Sequence, residues 1–309
     1  MDFLQNINWI THDGVNRGMI NDFMRNQFYD RIISRYVSGQ ECVDIGFGTG
    51  LLSMLALKHG AKHIRAYESD YTRFQLGQAV IDDLKLNDRI ELINERFSRS
   101  HDQRTVTFTE TVSGDIWGEG LWNTLPDDPE QHFLPGTYFV EMWAMPVPSV
   151  FAKGLFKKNT EKDHDCFNPG VDIDKNFVDL INKYQNIVTP DSVELPQGIV
   201  YFSRHQETPW GWIPYMRCVQ AGRVVARYQI AKHVPDITHF EMEVDTSAWK
   251  NQTVLLVPRA GMKQDNDVLY LDTGHWGPTE DPVLLVRPEQ NLLVTHNVQN
   301  GRIRYSSKD

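Results

Sequence analysis

The sequence predicts an α/β fold of the doubly wound kind, with a mostly parallel sheet over residues 1–145 and an antiparallel β domain over residues 146–309. Three observations carry this. Strand-like apolar runs alternate with helical periods in the first part. Short β-like runs separated by turn residues fill most of the second. Between the first strand and the helix after it lies "VDIGFGTGLL", residues 43–52, with three glycines in five positions.

The elements follow in order. From residue 19 to 36, Ile20, Met24, Phe28, Ile32 and Tyr36 recur every fourth position, as on one face of a helix. Next come a strand at "ECVDIG", a helix from Thr49 to His59, a strand at "HIRAYE", and a helix at "YTRFQLGQAVIDDLKL" with Phe74, Ile81 and Leu84 on one side. "RIELIN", "TVTFTE" and "TYFVEMW" complete the predicted parallel sheet. Beyond residue 146, "IVYFSR", "GRVVARYQIAKH", "FEMEVD", "TVLLVP", "VLYLDT", "PVLLVRP", "NLLVTHN" and "RIRYSS" predict an antiparallel barrel or sandwich. One short helix is expected at residues 176–184.

Composition narrows the function classes. At 309 residues, with 40% hydrophobic and 23% charged, the chain is an ordinary globular protein with length for about two domains. The formal charge of -10 argues against a nucleic-acid binder, which needs basic surface to neutralise phosphates, and suits a basic partner. No apolar stretch approaches the roughly 20 residues of a membrane span. "MDFLQNINWI" lacks a basic region followed by an apolar core, so a cytoplasmic protein is expected. Cys42, Cys166 and Cys218 are scattered and odd in number, which favours neither a disulfide framework nor a zinc site. No metal is expected.

The glycine turn lets backbone N–H groups approach a small molecule. Dinucleotide sites space their glycines G-x-G-x-x-G, whereas Gly46, Gly48 and Gly50 are spaced G-x-G-x-G after Asp44. That tighter last turn favours S-adenosylmethionine. Glu68 ends the second predicted strand, where either cofactor class places an acid to accept hydrogen bonds from ribose hydroxyls.

Four separated motifs resemble the protein arginine methyltransferase family. "MINDFMRN", Met19 to Asn26, looks like its helix-borne M-x-x-D-x-x-R element, and "VDIGFGTGLLSMLALKHGA" is similar to its methyl-donor loop. "ETVSGDIWGE" resembles its double-glutamate loop, with Glu110 and Glu119 nine residues apart, and "GHWGPTEDPVLL" its late T-H-W loop with Gly274 in place of Thr. The resemblance implies a Rossmann-like seven-stranded methyltransferase domain followed by a β-barrel.

It also implies roles. Glu110 and Glu119 would grip a substrate guanidinium, and His275 would help hold the first helix or relay a proton. Arg25 would pair with the donor's carboxylate, Asp44 and Gly46 would meet its amino-acid end, Gly48 and Gly50 would complete the cofactor loop, Glu68 would take its ribose, and Ser98 would sit at its adenine. Met19, Trp117, Leu121 and Trp276 would border the substrate pocket. The loop between the glutamates lacks the W-M-G start of asymmetric dimethylating members and ends "GEG", closer to the monomethylating branch. Members pair head to tail, which implies a homodimer, with Phe177, Val178, Leu180 and Ile181 as candidate contacts.

The residue chemistry agrees with such a site. Guanidinium has a pKa above about 12 and is a poor nucleophile as a free cation. Two carboxylates can orient its planar fork and draw the charge toward themselves, leaving the attacking nitrogen richer in electrons. Three classes stay open: a methyltransferase for protein or peptide arginine, one for another small guanidine or amine, and an inactive binding module. Intact Glu110, Glu119 and Arg25 count against the last.

Overall fold

The computed structural model describes residues 22–98, 105–112, 120–126, 131–147, 198–201, 223–231, 239–249, 253–271, 283–286, 291–297 and 302–307. Asp22 starts the first described helix, α1 (Phe23–Tyr36), its side chain accepting from the Arg25 backbone N–H at 3.1 Å. The buried stripe is Arg25, Phe28, Tyr29, Ile32 and Ile33. Sealing Phe28, Ile32 and Ile33 in the core stabilises by roughly 1.5–3 kcal/mol each. Ile32→Asp would break this packing. Met24 lies 55% exposed, although the every-fourth-residue series includes it. Four residues overshoot the 3.6-residue turn by about 40° per step, so a strict four-spacing rotates off the core.

Five strands, β1 (Glu41–Ile45), β2 (His63–Tyr67), β3 (Ile90–Ile93), β4 (Val106–Thr109) and β5 (Phe133–Leu134), form a parallel sheet in the order β3-β2-β1-β4-β5. Helices α2 (Leu51–Lys58) and α3 (Tyr71–Asp83) join the first three. All four residues of β4 are buried, as a parallel strand covered on both faces requires. Leu84 follows the last turn of α3 and is 45% exposed, so it does not share the core face with Ile81. The chain leaves β1 toward β2 and reaches β4 on its other side, so the sheet reverses direction between β1 and β4. In open α/β sheets that reversal opens a crevice at the carboxyl ends.

"TYFVEMW" departs from the sequence reading. It lies in β6 (Thr137–Val147), which pairs antiparallel with β8 (Arg223–Ala231) and, through eleven residue pairs, with β10 (Thr253–Gln264). An eleven-residue strand cannot satisfy its backbone against the short parallel strands, and β10 matches its length. Residues 145 and 146, between which the sequence reading divides the chain, both lie inside β6.

The other predicted β runs are present and antiparallel. β7 (Gly198–Tyr201), β12 (Val283–Val286), β10, β6 and β8 follow in that order, and β11 (Asp267–Tyr270) forms a hairpin with β10. β9 (His239–Val244), β13 (Leu292–Asn297) and β14 (Arg302–Ser307) make a second sheet. Gly261 on β10 is required by packing, since a Cβ there would lie 2.3 Å from the Phe139 ring. Among the described residues no helix is long and apolar enough to cross a membrane. The short helix expected at residues 176–184 lies outside them.

Candidate functional site

Asp44 sits near the end of β1 with no solvent exposure. The Ser53 hydroxyl donates to its Oδ2 at 2.6 Å, while Oδ1 is buried without a hydrogen-bond partner. Burial pushes this carboxyl up to about 7; the Ser53 hydrogen bond opposes the rise and the nearby Glu68 charge adds to it. An orphaned buried acceptor at a strand end is costly unless a cationic or donor group completes it. Cys42, two residues earlier, is a buried thiol pushed up to about 12 chiefly by burial, and belongs to the core.

The three glycines have different reasons. All take positive φ, +83° at Gly46, +52° at Gly48 and +79° at Gly50. A Cβ at Gly46 would lie 2.9 Å from Thr111, and one at Gly50 would lie 2.6 Å from the Phe47 ring. At Gly48 the nearest atom is the Gly46 carbonyl at 3.9 Å, so the backbone there faces open space. Glu68, at the end of β2, pins this loop: its Oε2 accepts from Gly48 N and its Oε1 from Asp70 N, both at 2.9 Å. The unpartnered Asp44 Oδ1 and the open backbone at Gly48 fit a small ligand with a cationic amine.

Glu110 follows β4 directly and is 9% exposed. Its two oxygens accept from Nε and Nη2 of Arg25, a fork-to-fork ion pair. Arg25 is 2% exposed, donates from Nη1 to Asn26 Oδ1 at 3.0 Å, and stands 5.5 Å from the Tyr29 ring centre. Burial lowers its pKa to about 10, so it stays a cation at neutral pH. The Tyr29 hydroxyl donates to the Thr109 carbonyl at 2.8 Å and ties α1 to the end of β4.

Asp44 is paired in register with Phe108, two residues before Glu110, so both carboxylates lie at the carboxyl edge of adjacent strands. Arg25, Asp44, the three glycines, Glu68 and Glu110 thus gather at the crevice. Ser98 is exposed after β3, and Leu121 is fully buried behind Gly120. Met19, Trp117, Glu119, His275 and Trp276 lie outside the described residues, as do Cys166 and Cys218. Sequence reasoning missed Tyr29 and Ser53. Their signals were weak: a tyrosine one turn after Arg25 and a hydroxyl nine residues after Asp44. Among the described residues no group of His, Cys, Asp and Glu could hold a metal ion.

A parallel sheet with a glycine turn and an acid ending the next strand defines a Rossmann-like fold, and solved methyltransferase structures share it. The crystal structure of PRMT6 matches 96% of this chain and 99% of its own, with a TM-score of 0.58 at 14% identity. The Trypanosoma brucei PRMT1 enzyme-prozyme heterotetrameric complex with AdoHcy matches 97% of this chain and 95% of its own, with a TM-score of 0.54 at 15% identity. At those identities the likeness concerns the fold.

Sequence likeness is narrower in span. Protein arginine N-methyltransferase 9 of Mus musculus is 32% identical over 115 residues, 35% of this chain and 14% of that protein. Protein arginine N-methyltransferase 7 of Anopheles gambiae is 31% identical over 121 residues, 34% of this chain and 18% of that protein. Protein arginine N-methyltransferase 1 of Chlamydomonas reinhardtii is 28% identical over 132 residues, 41% of this chain and 38% of that protein. No protein-family model matches the chain. Over these segments the chain is similar to protein arginine methyltransferases, of whose own length it spans between about a seventh and two fifths.

Proposed function

We propose that the chain transfers a methyl group from S-adenosylmethionine to a guanidino nitrogen of arginine in a basic protein or peptide, and stops at monomethylation. The observation that carries this reading is the Glu110 carboxylate, held in a fork-to-fork pair with a guanidinium beside the glycine loop. A carboxylate that seats Arg25 in this geometry has the shape to seat a substrate arginine.

Asp44, Gly46, Gly48, Glu68 and Arg25 would hold the donor, with Asp44 Oδ1 taking its ammonium and Arg25 its carboxylate. When bound, the donor supplies an electrophilic methyl on a sulfonium. Glu110 and Glu119 would orient the substrate fork and hold positive charge away from the attacking nitrogen. Alignment of that nitrogen with the methyl and sulfur can supply roughly 7–11 kcal/mol. No strong base is needed before attack. The proton leaves afterwards to a carboxylate or through His275. Met19, Trp117, Leu121 and Trp276 would wall the pocket, and Ser98 would lie beside the adenine.

The working form in this reading is a cytoplasmic homodimer. Incubation with radiolabelled S-adenosylmethionine and Arg-rich peptides, Lys-only peptides or free arginine tests the reaction. Label is expected in Arg peptides. Label in Lys peptides and none in Arg peptides overturns it.

A further inference from the structure

We infer that the β10–β11 hairpin is a positioning element for the site, fixing Arg25 through the helix that carries it. This rests on the proposal that Arg25 receives the donor's carboxylate. Two carboxylates at the hairpin turn grip the last part of α1. Asp267 accepts from Arg31 Nε at 2.7 Å and pairs with Arg35 Nη2 at 2.5 Å, while Asp265 pairs with Arg35 Nη1 at 3.2 Å. The Tyr36 hydroxyl donates to Asp265 at 3.0 Å and accepts from Gln264 Nε2 at 2.9 Å. Gln264 Oε1 in turn accepts from the Gly136 N–H at 2.8 Å, where the chain passes from β5 to β6. Burial alone would raise the Asp267 carboxyl, but the hydrogen bonds from Arg31 and Arg35 outweigh it and hold it below the ordinary carboxylate range.

Nearer Arg25, the Tyr29 hydroxyl on the Thr109 carbonyl fixes one point of α1, and the hairpin supplies a second point further along the helix. Phe28, Ile32 and Ile33 pack by apolar contact, which is non-directional. Asp30 reaches Lys58 and His59 at the exposed end of α2, at 2.9 and 2.8 Å. A slide by one residue moves Arg25 about 1.5 Å, enough to spoil a bidentate pair. Arg31 and Arg35 lie one turn apart, so gripping both opposes sliding and rotation together. Their side chains are 46% and 43% exposed, so such pairs add little to global stability. What they supply is register. The competent position of α1 is then the fraction of the population that sets apparent donor affinity.

Calorimetric titration of the full chain with S-adenosylmethionine tests this. The Asp265→Asn, Asp267→Asn double variant is expected to bind about fivefold more weakly, because a smaller share of the chain holds α1 in place. Its melting temperature should stay within about 3 °C of wild type, as for exposed pairs. Exchanging the whole set of charges, Arg31→Glu and Arg35→Glu with Asp265→Arg and Asp267→Arg, should bind the donor more tightly than the Arg31→Glu, Arg35→Glu variant alone, a rescue that a merely structural defect would not show. Raising NaCl from about 0.1 to about 1 M shrinks the screening length from about 10 to about 3 Å and should weaken wild type toward the double variant. A double variant that binds as tightly as wild type overturns the inference alone. A wild-type chain that binds no donor overturns the underlying reading and this inference with it.

Discussion

Arg25 and Glu110, 85 positions apart in the chain, meet as a buried fork-to-fork ion pair at the edge of the parallel sheet. The resemblance assigns them different partners, donor carboxylate and substrate guanidinium. Without either, each satisfies the other, and the site avoids leaving two buried charges alone. In the proposed reading, donor binding would compete with Glu110 for one cation, and substrate binding would compete with Arg25 for one carboxylate.

Glu110→Gln should therefore move three quantities. Turnover is expected to fall on the order of 100-fold, because a neutral amide cannot hold the substrate's charge. Stability should also drop, by roughly 3–5 kcal/mol if Arg25 finds no replacement, because a buried guanidinium loses its counter-ion. Donor affinity should stay equal or rise, since the competing anion is gone. Denaturant unfolding, calorimetry and single-turnover rates separate the three; a variant with wild-type turnover removes Glu110 from the reaction.

The buried carboxyl of Asp44 gives a pH signature. Its folded pKa, pushed up to about 7, exceeds the ordinary carboxylate value, so the folded chain holds the proton more tightly than the unfolded one. Stability from this group is full at low pH and is lost as pH rises through about 7. Asp44→Asn should remove that slope and raise the melting temperature of the ligand-free chain at pH 8. With S-adenosylmethionine the sign reverses, because an ammonium at Oδ1 favours the carboxylate. Wild type should gain more from the donor at pH 8 than at pH 6, and the Asn variant little at either. Equal donor shifts in both proteins at pH 8 would remove Asp44 from the donor site.

The glycines separate by substitution. Gly50→Ala drives a Cβ to 2.6 Å from the Phe47 ring at φ +79°, and Gly77→Ala meets the same ring at 2.7 Å. Each should cost roughly 1–3 kcal/mol through overpacking, with further backbone strain at Gly50. Gly48→Ala has room and should cost only about 1–2 kcal/mol for its φ of +52°. Its methyl group would project where a ligand must approach, so donor binding should be lost. Paired melts and titrations check the contrast, and tight donor binding by Gly48→Ala would refute it.

Much of this site is legible in the sequence because it is local. Asp44 and the glycines fall within seven residues, and Glu68 closes the next strand. Glu110 and Arg25 could be named separately, each from its own motif. Their pairing could not, because it depends on α1 crossing the end of β4, which no local pattern encodes. The hairpin clamp was hidden for a related reason. Asp265 lies in a tight two-residue turn at φ +53° and Asp267 directly follows it, and in sequence they read as turn residues. The membership of β6 failed for lack of a length argument: apolar content marks a strand, but its pairing partner depends on which other strand can match eleven residues.

The product is the last expectation. A second methyl transfer requires the pocket to hold an already methylated nitrogen while its lone pair stays aligned with the donor. If the wall cannot yield, the added methyl costs about 1–3 kcal/mol, or roughly 5- to 150-fold in rate. Leu121 is the one described residue among those proposed to wall the pocket. It is fully buried, and the Gly120 before it has φ +89°, so the turn that carries it follows a left-handed residue. A branched leucine fixed in this way gives less than the unbranched methionine that asymmetric dimethylating relatives carry there. Monomethylarginine should therefore dominate, and Leu121→Met should raise the share of asymmetric dimethylarginine. Symmetric product is not expected, because members that make it usually carry phenylalanine where Met19 stands. Amino-acid analysis of an exhaustively methylated Arg-rich peptide decides between these outcomes, and predominant dimethylarginine from the wild-type chain would show that Leu121 does not crowd the pocket.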